Sequence, residues 1–322
     1  MSGRIQTLVA TVVLGGIRKA APEAIANAAA VDALLASGPD GIPLGPYRRF
    51  LDEALTFDGG IALLQCGAPL RELSHPLLFV MLNSDAPRLV IDKEARLAAF
   101  FHSRHRVVVE HEGERSMTLR HTGPPGEPPE PAEDLATLGQ HIALLEEIGC
   151  RGLRARLPDS GAPEVWVYDD GALVRPTPGS SFARWHLEWD EFSAVRKRMP
   201  GLDETLLAAL ADRELTEGDA VAARVEAVVR RDLASTWRVS EVAEALKLSP
   251  RSLQRALAAD GERYSDLVDR IRNLEAARLL EQSTLSLTEI GYVCGFSDSA
   301  HFSRSFKKRF GASPSDHRSR GT

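Results

Sequence analysis

Residues 287–318, LTEIGYVCGFSDSAHFSRSFKKRFGASPSDHR, hold two helical patterns joined by a short turn. Ser286 followed three residues later by Glu289 is a capping box, so a helix is expected to start at Leu287. It is expected to end near Gly295, where a residue without Cβ can take the left-handed conformation that closes a helix. A second helix follows from Asp298 or Ser299. On it Phe302, Phe306 and Phe310 recur every four residues and form one buried stripe. Ala300, Ser303, Arg304 and Lys307 fall at i, i+3, i+4, i+7 on the opposite face, with His301 and Lys308 flanking them. Gly311 stops this helix, and Ser313–Pro314, a cap then a first-turn proline, starts another. A short helix, a tight turn and a helix with a basic outer face make a helix-turn-helix, whose second helix would enter a DNA major groove.

The same pattern occurs once more upstream. Val239–Lys247 reads as a short helix, Ser249–Pro250 as a cap with first-turn proline, and Arg251 to about Asp260 as a second helix. Leu253 and Leu257 point inward, and Arg251, Gln254, Arg255 and Ala258 point outward at i, i+3, i+4, i+7. Overlaying Leu253 on Phe302 brings each member of this stripe onto Ala300, Ser303, Arg304 and Lys307 with a constant offset of 49, while the turns differ by about one residue. Tyr264–Gln282 separates the two units as a helix of 19 residues, roughly 28 Å at 1.5 Å per residue. That length is comparable to one DNA turn of about 34 Å. Arginine matches guanine O6/N7 and glutamine matches adenine. Lys307, Lys308 and Arg309 match phosphates, which add affinity without sequence information. A single unit would also fit a solvated basic helix; two units with matched outward stripes favour a DNA reader.

Residues 219–322 resemble the DNA-binding domain of AraC-family transcription regulators. The resemblance is carried by Ile290-Gly291, Gly295-Phe296, Phe302-Ser303-Arg304-Ser305-Phe306-Lys307-Lys308, Gly311, Ser313-Pro314 and Arg318. Gly291 stands where that family usually has alanine, and His317 where it usually has an aromatic. Lys247 fills a turn position that often holds glycine, so a strained positive φ is expected there. The resemblance implies that Arg251, Gln254 and Arg255 read from the first unit and Ala300, His301, Ser303 and Arg304 from the second. Ser252, Ser299, Lys307 and Lys308 complete the implied DNA-contacting set. More weakly, most of residues 10–195 resembles the arabinose-binding-type regulatory domain of one branch of the family, through Gly41-Ile42-Pro43-Leu44, Tyr47 and Leu73-Ser74-His75-Pro76. Such domains sense small molecules, dimerise, or both.

Composition agrees with a soluble protein: 43% of the 322 residues are hydrophobic and 26% charged. The net charge of −6 hides an asymmetry, because residues 219–322 carry 17 Lys+Arg against 14 Asp+Glu and the remainder 22 against 31. Residues 301–320 alone hold six Lys/Arg and one Asp, and local patches set the footprint on a polyanion. Cys66, Cys150 and Cys294 are too few and too scattered for a disulfide framework or a zinc site, which fits a reducing cytoplasm. The apolar run Leu8–Ile17 is too short to span a bilayer and is followed by Arg18-Lys19, so it reads as a buried helix or strand.

The remaining N-terminal half reads as α+β. Residues 5–57 are mostly helical, with a break at Ser37-Gly38-Pro39-Asp40-Gly41. Ile61–Gln65 is a buried strand or a helix end. Val107–Glu110 with Met117–His121, and Val165–Tyr168 with Ala172–Arg175, are expected hairpins. Gly123–Pro131, with five prolines in nine residues, is an extended loop. Asp134–Ile148 is expected to be an amphipathic helix, Trp185–Trp189 a strand, and about 190–199 and 203–213 helices. No βαβ rhythm, phosphate loop or dinucleotide fingerprint is present.

Other residues invite sharper readings. His102, His105, His111 and His121 have part of a metal-ligand spacing, but no cysteine or carboxylate cluster completes it. Arg104 and Arg106 suit a carboxylate or an interface. Trp166, Trp185 and Trp189 suit a pocket or ordinary core. Cys66 after an apolar run suggests a nucleophile elbow, which needs a parallel sheet and a positioned histidine.

The expected organisation is an α+β sensing or dimerisation domain over residues 1–213, a linker at 214–218, and an all-α DNA-binding domain over 219–322. Within the last, the two helix-turn-helix units cover about 239–260 and 287–310, joined by a long helix. The expected function is sequence-specific transcription regulation in the cytoplasm by a homodimer, without enzymatic activity, cofactor, metal or membrane. Its partners would be double-stranded promoter or operator DNA, a small-molecule effector and, for an activator, RNA polymerase. A ligand-independent regulator controlled by a protein partner or by its own abundance, an enzyme fused to a DNA-binding domain and a structural or interaction protein are the competing classes.

Overall fold

The computed structural model describes residues 4–5, 7–36, 41–73, 75–100, 105–179, 181–195 and 220–321. It divides into two compact units, one from residues 1–74 and 81–196 and the other from residues 75–80 and 197–322.

The run from Leu8 to Ile17 is a helix, α1 (Thr7–Ala20). Ala10, Val13, Leu14 and Ile17, at helical spacing, are fully buried. α1 packs so closely on its neighbour that a Cβ on Gly16 would stand 1.9 Å from the Cys66 carbonyl oxygen. α2 (Ala28–Leu35) is capped by Asn27, whose side chain accepts from the Ala30 N–H. β1 (Arg4–Ile5) pairs with β2 (Ile42–Pro43), and α3 (Leu44–Asp58) leads to α4 (Ile61–Gln65). The Ile61–Gln65 run is therefore helical. α5 (Pro76–Leu82) and α6 (Pro87–Phe100) follow in the chain.

The first expected hairpin is formed by β3 (Arg106–Glu112) and β4 (Ser116–Thr122), with a bulge between Val109 and His111. After the proline-rich loop comes α7 (Pro131–Ile148), then β5 (Cys150–Arg151), β6 (Arg154–Arg156), β7 (Trp166–Asp169), β8 (Ala172–Leu173), β9 (Arg184–Glu188) and β10 (Glu191–Phe192). The second hairpin turns through Asp170 (φ 42°) and Gly171 (φ 97°), the left-handed pair a two-residue hairpin favours. Six strands form one antiparallel sheet in the order β3-β4-β9-β6-β7-β8. Its inner face buries Met117, Leu119, Ala155, Val167, Trp185 and Leu187, and its outer face carries Arg120, Arg154, Arg184 and Glu188.

Two expectations are corrected. The helix expected over about 190–199 is not present in its described part, residues 190–195: β10 pairs antiparallel with β5, Glu191 opposite Arg151, and Val195 donates to the Ile148 carbonyl. The extended path is favoured because the left-handed Gly149, which ends α7, turns the chain beside residues 193–195. Nor is α7 amphipathic in the sense of one solvated face, since Glu133, Asp134 and His141 are buried. Each finds a partner on another element: Arg48 donates to Glu133 at 2.9 Å, His121 pairs with Asp134 at 2.9 Å, and His141 Nε2 pairs with Glu94 at 2.7 Å. The polar stripe of a helix is thus covered wherever neighbours satisfy it. The expected break at 37–40, the helix at 203–213 and the linker at 214–218 lie outside the described residues.

The second unit is helical: α8 (Val221–Arg231), α9 (Val239–Ala245), α10 (Pro250–Ala259), α11 (Tyr264–Gln282), α12 (Leu287–Val293), α13 (Ser299–Phe310) and α14 (Pro314–Gly321). Val225, Val228, Val229 and Leu233 pack with Val242, Leu253, Leu257, Leu267 and Ile271 in one core. Ile290, Tyr292, Val293, Phe296, Phe302 and Phe306 are buried farther along the chain.

Candidate nucleic-acid interface

In the first helix pair, α9 and α10 meet through a turn in which the Leu248 N–H donates to the Ala243 carbonyl at 2.8 Å. Lys247 has φ +57° there, as its place in the turn demands. Ser249 caps α10 by accepting from the Ser252 N–H at 3.1 Å, with Pro250 in the first turn. Leu253 and Leu257 are fully buried, which leaves Arg251, Gln254, Arg255 and Ala258 exposed. Ser252 is half-buried, and its hydroxyl lies 2.9 Å from the Ser249 hydroxyl.

The second pair repeats this logic with aromatic packing. Ser286 Oγ accepts from the Glu289 N–H at 3.2 Å and the Ser286 N–H donates to Glu289 at 2.7 Å, closing the capping box. Gly295 turns the chain at φ +82°. Asp298 accepts from the His301 N–H at 2.7 Å, and that backbone donor holds its carboxyl below the ordinary range. Phe302 and Phe306 are buried, with ring centroids 4.9 Å between Phe296 and Phe302 and 4.6 Å between Phe306 and Phe310. His317 stands edge-on to Phe306 at 5.3 Å while its Nε2 lies 3.0 Å from Glu281. The imidazole therefore fills the aromatic position.

Ala300, Ser303, Arg304, Lys307 and Lys308 are exposed along α13, and Ser299 is half-buried. His301 sits at the edge of this face, its Nδ1 3.1 Å from the Ser297 hydroxyl and its ring 5.5 Å from Phe296.

Some arginines of this unit are held by carboxylates of the same unit. Arg230 and Arg278 pair with Glu275, and Arg270 with Glu262. Among the described residues, Arg251 and Arg255 on α10 and Arg304, Lys307 and Lys308 on α13 have no ion pair within the chain. These side chains face solvent on two helices of matching register. Sequence reasoning did not find the buried Asn273 and Glu275 on α11; two polar side chains inside the apolar pattern of that helix are the signal that was available.

The N-terminal candidates are placed as follows. His121 pairs with Asp134, whose carboxyl burial raises; His105 Nδ1 lies 3.9 Å from Glu133; His111 is exposed; His102 and Arg104 lie outside the described residues. Arg106 is exposed. Trp185 is core and donates to the Phe182 carbonyl at 2.7 Å, Trp189 is buried, and half-buried Trp166 lies beneath the guanidinium groups of Arg154 and Arg156 at 5.5 and 5.3 Å. Cys66 is fully buried, donates to the Ala136 carbonyl at 3.2 Å and has its pKa raised by burial. It follows helix α4 and not a strand, so the nucleophile-elbow geometry is not formed.

A family model described as a helix-turn-helix domain matches residues 242–320. The C-terminal domain is of the AraC type. VirS of Mycobacterium tuberculosis, an HTH-type transcriptional regulator, is 39% identical over 99 residues, 30% of this chain and 29% of VirS. GlxA of Rhizobium meliloti, another HTH-type transcriptional regulator, is 34% identical over 153 residues, 46% of this chain and 45% of GlxA. The transcriptional activator RhaS of Escherichia coli is 45% identical over 76 residues, 23% of this chain and 27% of RhaS. Each match spans less than half of the relative's length. The match lies within the helical unit, covers α10, α11, α12 and α13 in full and reaches the last turn of α14.

Proposed function

We propose that this protein is a sequence-specific DNA-binding transcription regulator, with residues 219–322 reading DNA through two helix-turn-helix units and residues 1–213 sensing a small molecule, dimerising, or both. The observation that carries the reading is the pair of outward stripes on α10 and α13, each basic, each exposed and each backed by a buried apolar stripe. Arg251, Gln254 and Arg255 read base edges from α10. On α13, Arg304 reads, Ala300 and Ser303 make short contacts, and Lys307 and Lys308 bind phosphate. His301, tied to Ser297, and the half-buried Ser252 and Ser299 lie at the edges of these faces and serve as flanking contacts.

For the effector, a cleft of about 320 Å³ in the first unit is floored by Leu64 and Ile142 and rimmed by Lys19, Arg71, Glu146 and Tyr168. An effector shifts regulation only by binding two arrangements unequally. Selection of bound sequences from a random DNA pool tests the DNA reading. A defined motif enriched by the parent and lost with Arg255→Ala supports it; no enrichment by a folded parent refutes it. Thermal melts over candidate metabolites test the effector reading, which fails if no ligand moves both stability and operator affinity.

A further inference from the structure

The second helix pair is attached to the first through more than α11. Three segments meet at one junction: residues 232–237 after α8, the middle of α11, and the turn between α12 and α13. Arg272 of α11 donates from Nη2 to the Ser235 carbonyl at 2.9 Å. Gly295 lies so close that a Cβ there would stand 1.9 Å from the Leu233 carbonyl oxygen and 2.9 Å from Arg272 Nε. Residues 232–237 are themselves pinned: Ser235 Oγ donates to Asp232 at 2.7 Å, Trp237 Nε1 to the Asp232 carbonyl at 2.8 Å, and Tyr264 Oη to the Trp237 carbonyl at 3.0 Å.

Two further contacts flank the junction along α11. Glu275, only 2% exposed, accepts from Arg230 of α8 at 3.3 Å and from Arg278 of its own helix. Asn273 Nδ2 donates to Ser305 Oγ of α13 at 2.7 Å. A connecting helix by itself sets the separation of two units along its axis. Their rotation about that axis is set by what each unit touches besides the helix, and here the turn of the second pair touches the backbone of the segment that leads into the first.

We propose that the Leu233–Arg272–Gly295 junction is a brace that sets the orientation of α13 relative to α10, and through it the spacing between the two DNA elements the chain reads. Arg272 and Gly295 are positioning residues that touch no DNA. The orientation part stands on geometry alone; the spacing part rests on the DNA-reading proposal above.

The test uses the full chain carrying cysteines at Ala259→Cys on α10 and Arg309→Cys on α13, both exposed positions. Cys66, Cys150 and Cys294 are buried, so spin labels go to the introduced thiols. Interlabel distances are measured without DNA by pulsed electron paramagnetic resonance, with labelled chain diluted in unlabelled chain. The parent is expected to give one narrow distance distribution. Arg272→Met, which keeps the aliphatic stem, and Gly295→Ala are expected to broaden or displace it at unchanged helical content. In pool selection, run on unlabelled chains that keep Ala259 and Arg309, both variants are expected to retain the element read by α10 while the spacing to the second spreads. Parent-like distances in Arg272→Met overturn the brace, and that variant decides alone if Gly295→Ala does not fold. Altered distances with parent-like spacing overturn its role in DNA selection. Altered distances in a chain whose parent selects no DNA leave the brace standing and refute the DNA reading.

Discussion

The two helix pairs solve one turn in two ways. Lys247 and Gly295 both sit in the left-handed region, at φ +57° and +82°. Lys247 is exposed, and its side chain leaves into solvent. Gly295 has the Leu233 carbonyl oxygen where a Cβ would be. A left-handed φ in a non-glycine residue costs on the order of 1–3 kcal/mol, which a packed domain tolerates at one place. A steric overlap with backbone has no comparable escape, because a carbonyl oxygen cannot rotate away as a side-chain end does. Glycine at the second turn therefore answers to a neighbour, whereas the lysine at the first is exposed.

The cores behind the turns differ in the same sense. The first pair rests on Leu253 and Leu257, the second on a run of rings from Phe296 through Phe302 and Phe306 to Phe310. Phe302→Ala is expected to have the largest effect, a loss of about 3–5 kcal/mol. It should unfold the second pair, seen as a lowered thermal transition and exchange of the α12–α13 amides; retention of the parent's melting temperature would show that the rings are not the core. Next come the outward residues. Arg255→Ala and Arg304→Ala should each weaken operator binding by about 1–3 kcal/mol while leaving the melt unchanged. Lys308→Ala should weaken all sequences alike and reduce the salt slope by about one. A Lys308 variant that changes base preference would reverse this division of labour.

Smaller still is Lys247→Gly. Relief of the left-handed strain, offset by the greater freedom of glycine in the unfolded chain, is expected to stabilise by up to about 1 kcal/mol. Denaturant melts check it, and destabilisation would mean that the lysine side chain is held by contacts after all. The smallest effect lies in the first unit, in the pair between Glu94 and His141. Burial lowers the His141 pKa, but the Glu94 carboxylate lifts it above its ordinary 6.5 on balance. Burial raises Glu94, and His141 brings it below its ordinary 4.5. The histidine's contribution is complete below pH 6.5 and is lost as pH rises through its folded value. The carboxylate's is complete above pH 4.5 and is lost as pH falls through its own. The full chain should thus melt at lower temperature at about pH 8 than at about pH 6 from this source. Glu94→Gln should flatten that difference; an unaltered slope would remove the pair from the pH response.

Legibility followed the range of the interactions. α12 begins at Leu287 and α11 runs from Tyr264 to Gln282 as read, because caps and apolar spacing act within a few residues. The hairpins Arg106–Thr122 and Trp166–Leu173 were legible through alternation and their Gly-containing turns. The strand Glu191–Phe192 was not, since two residues carry no period and its partner Cys150–Arg151 lies 40 residues away. The polar residues of α7 looked like a solvated face, and nothing near them in the chain announces Arg48, Glu94 or His121 as their partners.

By itself the sequence determined the two helix pairs, their caps, the inward Leu and Phe stripes and the outward basic faces, because each depends on spacing along one helix. It also marked positions 247 and 295 as turns. Only the tertiary structure decided what those turns mean: one is an open corner, the other a contact with residues 62 positions earlier in the chain. The same holds for Arg272, one arginine among 39 basic residues until its Nη2 is placed on the Ser235 carbonyl. Local propensity depends on the neighbours along the chain, and the cost of a Cβ or the partner of a guanidinium depends on the neighbours in space.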